Sequence, residues 1–141
     1  MEILLEMSVK NPAAEICRAL TERDGLASWF AADTLAEPRV GSLAEFRFDH
    51  GARLIQVRVG ELDPGRRIVW QVLQGLPAWE QEQGTITWTL TPAGWGGTLV
   101  HFSHGGWNTT GGAFPSTVFK WATFMARLKA YLATGAVNPA T

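Results

Sequence analysis

His104 closes a run in which Val100, Phe102 and His104 alternate with Leu99, His101 and Ser103, so the imidazole is expected on the inward face at a strand end. An imidazole placed there can hydrogen-bond a ligand carbonyl, or act as general acid or base near neutral pH. Equally, it can fix the turn His104-Gly105-Gly106-Trp107 through a side-chain to backbone bond. His101 is expected to point the other way, and His50 falls in a hairpin tip. The three histidines lack the i, i+4 spacing of a helical metal site, and no carboxylate lies near the pair His101 and His104 in sequence, so no metal is expected. All 13 Asp and Glu residues lie within 1–82, while 83–141 carry only Lys120, Arg127 and Lys129 as charged residues. A carboxylate that orients an imidazole must therefore come from the first 82 residues. Cys17 is the single cysteine, which excludes an intrachain disulfide and a Cys-based zinc site and suits a small apolar residue on a helix face. The Gly-rich stretch Gly105 to Gly112 has the composition of a lid, but it lacks the Lys-Ser/Thr ending of a phosphate loop. No Ser-His-Asp arrangement is present.

The other conspicuous residues are aromatic: 7 Trp and 7 Phe in 141 residues. Phe46, Phe48, Val57, Trp70, Trp88 and Phe102 fall on inward positions of alternating strands. Trp121 and Met125 fall on the apolar stripe of the last helix and face them. Two readings stand side by side: a wall around a flat or acyl apolar ligand, or a filled core. Trp29 and Phe30 form either one lip of such a pocket or an anchor between helix and sheet; Trp107 completes the set at the strand end. Trp79, beside Pro77 in a polar loop from Gln74 to Gln83, reads as a gate or contact surface. Arg58 is an outer, solvated residue if Ile55, Val57 and Val59 face inward, and a carboxylate anchor if they do not; Glu45 and Glu61 share that ambiguity. Lys120, Thr123 and Arg127 read as the solvent side of the last helix.

These residues need a scaffold, and the pattern supplies one. Glu2 to Val9 reads as a strand. Asn11-Pro12 reads as a cap followed by proline at the first helical position, on a short helix ending near Leu20. Thr21 to Ala27 reads as a second short helix, with Thr21 as its cap and Asp24 as the partner three residues on. From Ala31 the apolar period changes from about 3.6 to 2. Strands are expected at Ala31 to Glu37, Ser42 to Asp49, Arg53 to Leu62, Arg67 to Leu73, Thr85 to Leu90 and Thr98 to His104. Turns at Pro38 to Gly41, His50-Gly51, Asp63 to Arg66 and Pro92 to Gly97 separate most of them. The last helix, Pro115 to Thr134, carries Phe114, Val118, Trp121, Met125, Leu128 and Leu132 as one stripe and ends at Gly135. The order β-α-α-β-β-β-β-β-β-α is an antiparallel meander with helices at its ends. We read residues 1–135 as one domain and 136–141 as a short tail.

Net charge is −1, which gives no electrostatic case for a nucleic-acid partner. No apolar run is long enough to span a bilayer and the first residues form an acidic strand, so no membrane insertion and a cytoplasmic location are expected.

Taken in order, Pro12, Arg18-Ala19-Leu20, Gly25-Leu26, Trp29-Phe30, Pro38-Arg39-Val40-Gly41, Glu61-Leu62-Asp63-Pro64-Gly65-Arg66, Trp70, Thr98, Val100, Phe102, His104 to Trp107, Trp121 and Leu128-Lys129 cover nearly the whole chain. They resemble the START-like, helix-grip (SRPBCC) superfamily, in the branch similar to the C-terminal domain of the activator of Hsp90 ATPase found as free-standing bacterial domains. The resemblance implies an α+β fold with a curved antiparallel sheet of about seven strands and a long C-terminal helix across it. That superfamily includes lipid carriers, hormone receptors and polyketide cyclases. The expected function is therefore non-enzymatic binding of a small hydrophobic or aromatic molecule, lipid-like or polyketide-like, between the sheet and the last helix. No cofactor is expected. The alternatives are a protein–protein adaptor or stress-response co-chaperone-like module, and a cyclase- or hydrolase-like enzyme with His104 as general base. A monomer or weak homodimer is expected, since sheet edges can pair across a two-fold axis.

Overall fold

The computed structural model describes residues 1–76 and 84–141. Among these, the chain runs β1 (Ile3–Val9), α1 (Ala13–Thr21), α2 (Arg23–Trp29), β2 (Asp33–Leu35), β3 (Leu43–Phe48), β4 (Arg53–Asp63), β5 (Arg67–Gln74), β6 (Thr85–Pro92), β7 (Thr98–Gly105) and α3 (Phe114–Thr134). The strands form one antiparallel sheet in the order β1-β7-β6-β5-β4-β3-β2. Each strand after β2 pairs with its predecessor, as short turns dictate, and β1 closes the far edge on β7 with Leu5 opposite Phe102. This is the α+β helix-grip arrangement expected from the order of elements.

The alternation that defines the strands also defines the core. In β6, Ile86, Trp88 and Leu90 are buried while Thr85, Thr87 and Thr89 lie on the other face. Two register shifts in β4, at Gln56/Val57 and at Val59/Glu61, interrupt its ladder with β5. Shifts of this kind bend and twist a strand, and here they help to curl the sheet around its concave face. At the β3–β4 turn Asp49 and His50 have φ of 54° and 55° and Gly51 has 91°. Asp and His accept this left-handed conformation more readily than most residues.

Across the concave face lies α3, with Trp121, Met125 and Leu128 buried and Phe114, Val118 and Leu132 packed at the margin of the core. Gly135 ends it with φ of 77°, its N–H bonded to the Tyr131 carbonyl at 2.8 Å. No helix among the described residues is long and apolar enough to cross a membrane.

Several boundaries differ from the sequence reading. Pro12, not Asn11, is the residue before α1, and no side chain caps that helix. Asn11 instead uses its amide to join elements, donating to Glu15 Oε2 and to the Leu132 carbonyl, each at 2.8 Å. Thr21 belongs to α1, where its hydroxyl donates to the Cys17 carbonyl, and α2 starts at Arg23 without a side-chain cap. Only Asp33–Leu35 of the expected Ala31 to Glu37 strand is paired with β3. Residues 136–141 fold back over α2 and the β3–β4 turn: Ala140 N–H bonds the Phe30 carbonyl, Ala32 N–H bonds the Ala140 carbonyl, and His50 N–H bonds Thr141 O.

Candidate functional site

α2 ends by driving two rings into the concave face of the sheet. Trp29 and Phe30 are buried, and the Trp29 indole donates to the Ala19 carbonyl at 2.8 Å. Phe30 lies 4.8 Å from Phe46 and 5.7 Å from Trp121, the latter nearly parallel at 11°. Trp88 meets Phe102 at 4.8 Å, Trp70 at 5.7 Å and Trp29 at 6.0 Å. Phe102 touches Trp121 at 4.6 Å. Val57 and Met125 are buried in the same cluster. These centroid separations are those of rings in direct contact, so the middle of the concave face is filled by side chains. Trp107 packs on Phe114 at 5.1 Å and on His104 at 5.4 Å, at the opposite end of the cluster from the β3–β4 turn.

His104 is fully buried, and its Nδ1 accepts a hydrogen bond from Trp121 Nε1 at 3.1 Å. Removal from water disfavours the charged imidazolium, and its pKa falls from 6.5 to about 4. At neutral pH it is a neutral acceptor inside the core. His101 lies on the outer face with Nε2 2.9 Å from Glu6 Oε1, a carboxylate that strand pairing brings to it from ninety-five residues earlier. Among the described residues no cluster of His, Cys, Asp or Glu could hold a metal ion. Arg58 is exposed and donates to the Gly41 carbonyl; Glu45 pairs with Arg47 and Glu61 with Arg67. Trp79 and Pro77 lie outside the described residues.

The open space lies beside this cluster. A cleft of ≈ 300 Å³ opens between α3 and the end of the β3–β4 hairpin. Of the aromatic residues singled out in the sequence, Phe30, Phe48 and Trp121 line it. Phe124 completes the floor, 4.8 Å from Phe30, 6.2 Å from Phe48 and 6.3 Å from Trp121. Ile55 adds an aliphatic wall, Leu76 comes from just beyond β5 and Ala140 from the C-terminal segment. The polar lining is Asp49, Arg53, Thr117, Lys120, Thr123 and Arg127. The Arg127 guanidinium lies 5.4 Å above the Phe124 ring, within cation–π range. Phe119, 74% exposed, also lines the cleft.

Sequence reasoning left out Phe124, Arg53 and Ile55. Phe124 follows Trp121 by three residues and precedes Leu128 by four, so it borders the main stripe of α3. That spacing was the available sign. The helical spacing puts Lys120, Thr123 and Arg127 on the solvent side; in the structure Lys120 and Thr123 are exposed but border the cleft, and Arg127 is half-buried against Phe124.

The family model for the Activator of Hsp90 ATPase homolog 1-like protein matches residues 10–133. The solution structure of the Aha1 dimer from Colwellia psychrerythraea is 29% identical, with 96% of this chain and 98% of that chain covered and a TM-score of 0.85. A crystal structure of a Mesorhizobium loti protein is 22% identical over 94% of this chain and 97% of its own, with a TM-score of 0.79, a likeness of fold. DynU16, a protein of the dynemicin biosynthetic locus, is 25% identical with a TM-score of 0.79; 96% of this chain covers 48% of that one. No curated protein matches the chain.

Proposed function

This chain belongs to the Activator of Hsp90 ATPase homolog 1-like family, and we propose that it binds a small hydrophobic or aromatic molecule in the cleft between α3 and the β3–β4 hairpin. The carrying observation is the floor of Phe30, Phe48, Trp121 and Phe124, rings that already touch one another and leave ≈ 300 Å³ of space above them. A volume of that size is at the lower end of ligand sites and suits a two-ring or medium-chain acyl molecule. Affinity would come from burying apolar surface at roughly 25 cal/mol per Å², less the ordering cost of the ligand.

A binding role is favoured over catalysis by the position of His104, the only buried titratable side chain among the described residues. His104 is enclosed, is not among the cleft-lining residues and is neutral over the physiological range. Self-association through a sheet edge is compatible with this role, and the similar Colwellia protein is described as a dimer.

The test is a ¹H–¹⁵N titration with naphthalene-based and medium-chain probes, read at the indole N–H signals. Trp121 borders the cleft and should move as ligand is added, whereas Trp29 and Trp88, enclosed in the core, should move little. A folded protein whose Trp121 signal is unchanged by every probe at millimolar concentration would remove the proposal.

A further inference from the structure

The rim of the same cleft narrows the ligand class, on the reading just given. Three cationic side chains line it: Arg53 from the start of β4, and Lys120 and Arg127 from α3. Asp49 is the one carboxylate in the lining among the described residues. Elsewhere in the chain five arginines are ion-paired, among them Arg39 with Glu37, Arg47 with Glu45 and Arg67 with Glu61, and Arg58 is held by the Gly41 carbonyl. Arg53, Lys120 and Arg127 have no ion-pair partner among the described residues. Lys120 and Arg127 are two turns apart on one face of α3, so about 10 Å of helix separates their backbones along the mouth. α3 carries no carboxylate that could neutralise them from within the helix. Stacking on Phe124 also holds the Arg127 guanidinium at the boundary between apolar floor and solvent.

We propose that the cleft selects amphipathic anions: an aromatic or acyl body on the phenylalanine floor and a carboxylate held by Arg53, Lys120 and Arg127. A neutral molecule of the same shape gains only the burial. An anion also gains charge-assisted hydrogen bonds, which are stronger than neutral ones. Its attraction to the rim weakens with salt, because these cations are partly solvated.

The experiment compares 2-naphthoate with naphthalen-2-ylmethanol, and decanoate with decan-1-ol, by calorimetry and by the Trp121 signal. Each carboxylate should bind about tenfold tighter than its alcohol at low salt, the scale of one charged hydrogen bond. That advantage should shrink in 0.5 M NaCl. The triple variant Arg53→Gln, Lys120→Gln and Arg127→Gln should abolish the advantage of each carboxylate over its alcohol, with the dispersion of the indole N–H signals checking that the fold is kept. Equal binding of acid and alcohol by the native chain would overturn the selection for anions and leave the apolar site standing. An advantage that survives the triple variant would overturn the assignment to these three residues. Binding of neither would overturn both this inference and the one it rests on.

Discussion

Burial takes the His104 imidazole out of water, with Trp107 and Trp121 against it, and its pKa falls from 6.5 to about 4. The folded state therefore keeps the ring neutral while the unfolded chain takes up a proton below pH 6.5. Stability from this residue is complete above 6.5, declines as pH falls towards 4 and changes no further below it. The loss over that window is about 3 kcal/mol, at 1.36 kcal/mol per unit. Protonation would also occupy Nδ1, the acceptor for the Trp121 indole. Urea unfolding at pH 7 and at pH 4.5 should show a steep loss in the native chain and a loss smaller by roughly 2 kcal/mol in His104→Gln. Equal losses in the two would mean that the imidazole is charged in the fold. The alternation of β7 placed Val100, Phe102 and His104 on the inward face, and all three are buried there. It could not supply the Trp121 partner, because that bond depends on how α3 crosses the sheet. Arg127 went astray for the same reason. Its position on the helix wheel is outward, but the guanidinium is laid back across Phe124.

Between α1 and α2 the chain makes a contact that depends on a missing side chain. A Cβ on Gly25 would stand 2.7 Å from the Ala19 Cα and 3.0 Å from the Arg18 carbonyl, both backbone atoms that cannot swing aside. At an open helical site Gly→Ala stabilises by about 1 kcal/mol. Here the contact should reverse the sign, and Gly25→Ala should cost on the order of 1–3 kcal/mol through overpacking. Thermal melts followed by circular dichroism check it, and a raised Tm would show that α1 and α2 can separate without loss. Strand periods and the stripe of α3 were enough to place every strand and the long helix, because each has one face in the core. The helix starts were less well marked. Asn11 and Thr21 have the composition of caps, but tertiary structure uses the first to reach Leu132 and the second to close α1. Short helices take their ends from such contacts more than from local preference.

A curved sheet under a single helix leaves a volume that local pattern cannot apportion between core and ligand. The inward aromatics were identifiable from period alone, but which of them touch one another depends on the end of α2, where Trp29 and the following Phe30 occupy the centre of the concave face. The vacant part is displaced to the β3–β4 end, where Phe124 and the hairpin meet. The two regions should therefore separate by mutation. Trp88 is fully enclosed by Trp29, Trp70 and Phe102, and Trp88→Ala should cost about 3–5 kcal/mol of stability. A domain with the usual 5–15 kcal/mol has little left after that loss. Phe124 is half-buried and stands on the cleft side of the cluster. Phe124→Ala should cost only about 1–2 kcal/mol, since part of its ring is already in water. It should nevertheless weaken 2-naphthoate about tenfold by removing the floor and the seat of Arg127. Urea denaturation and probe titration on both variants provide the contrast. If Trp88→Ala stays stable and loses the probe while Phe124→Ala keeps it, the ligand enters the core instead, and α2 must move to admit it.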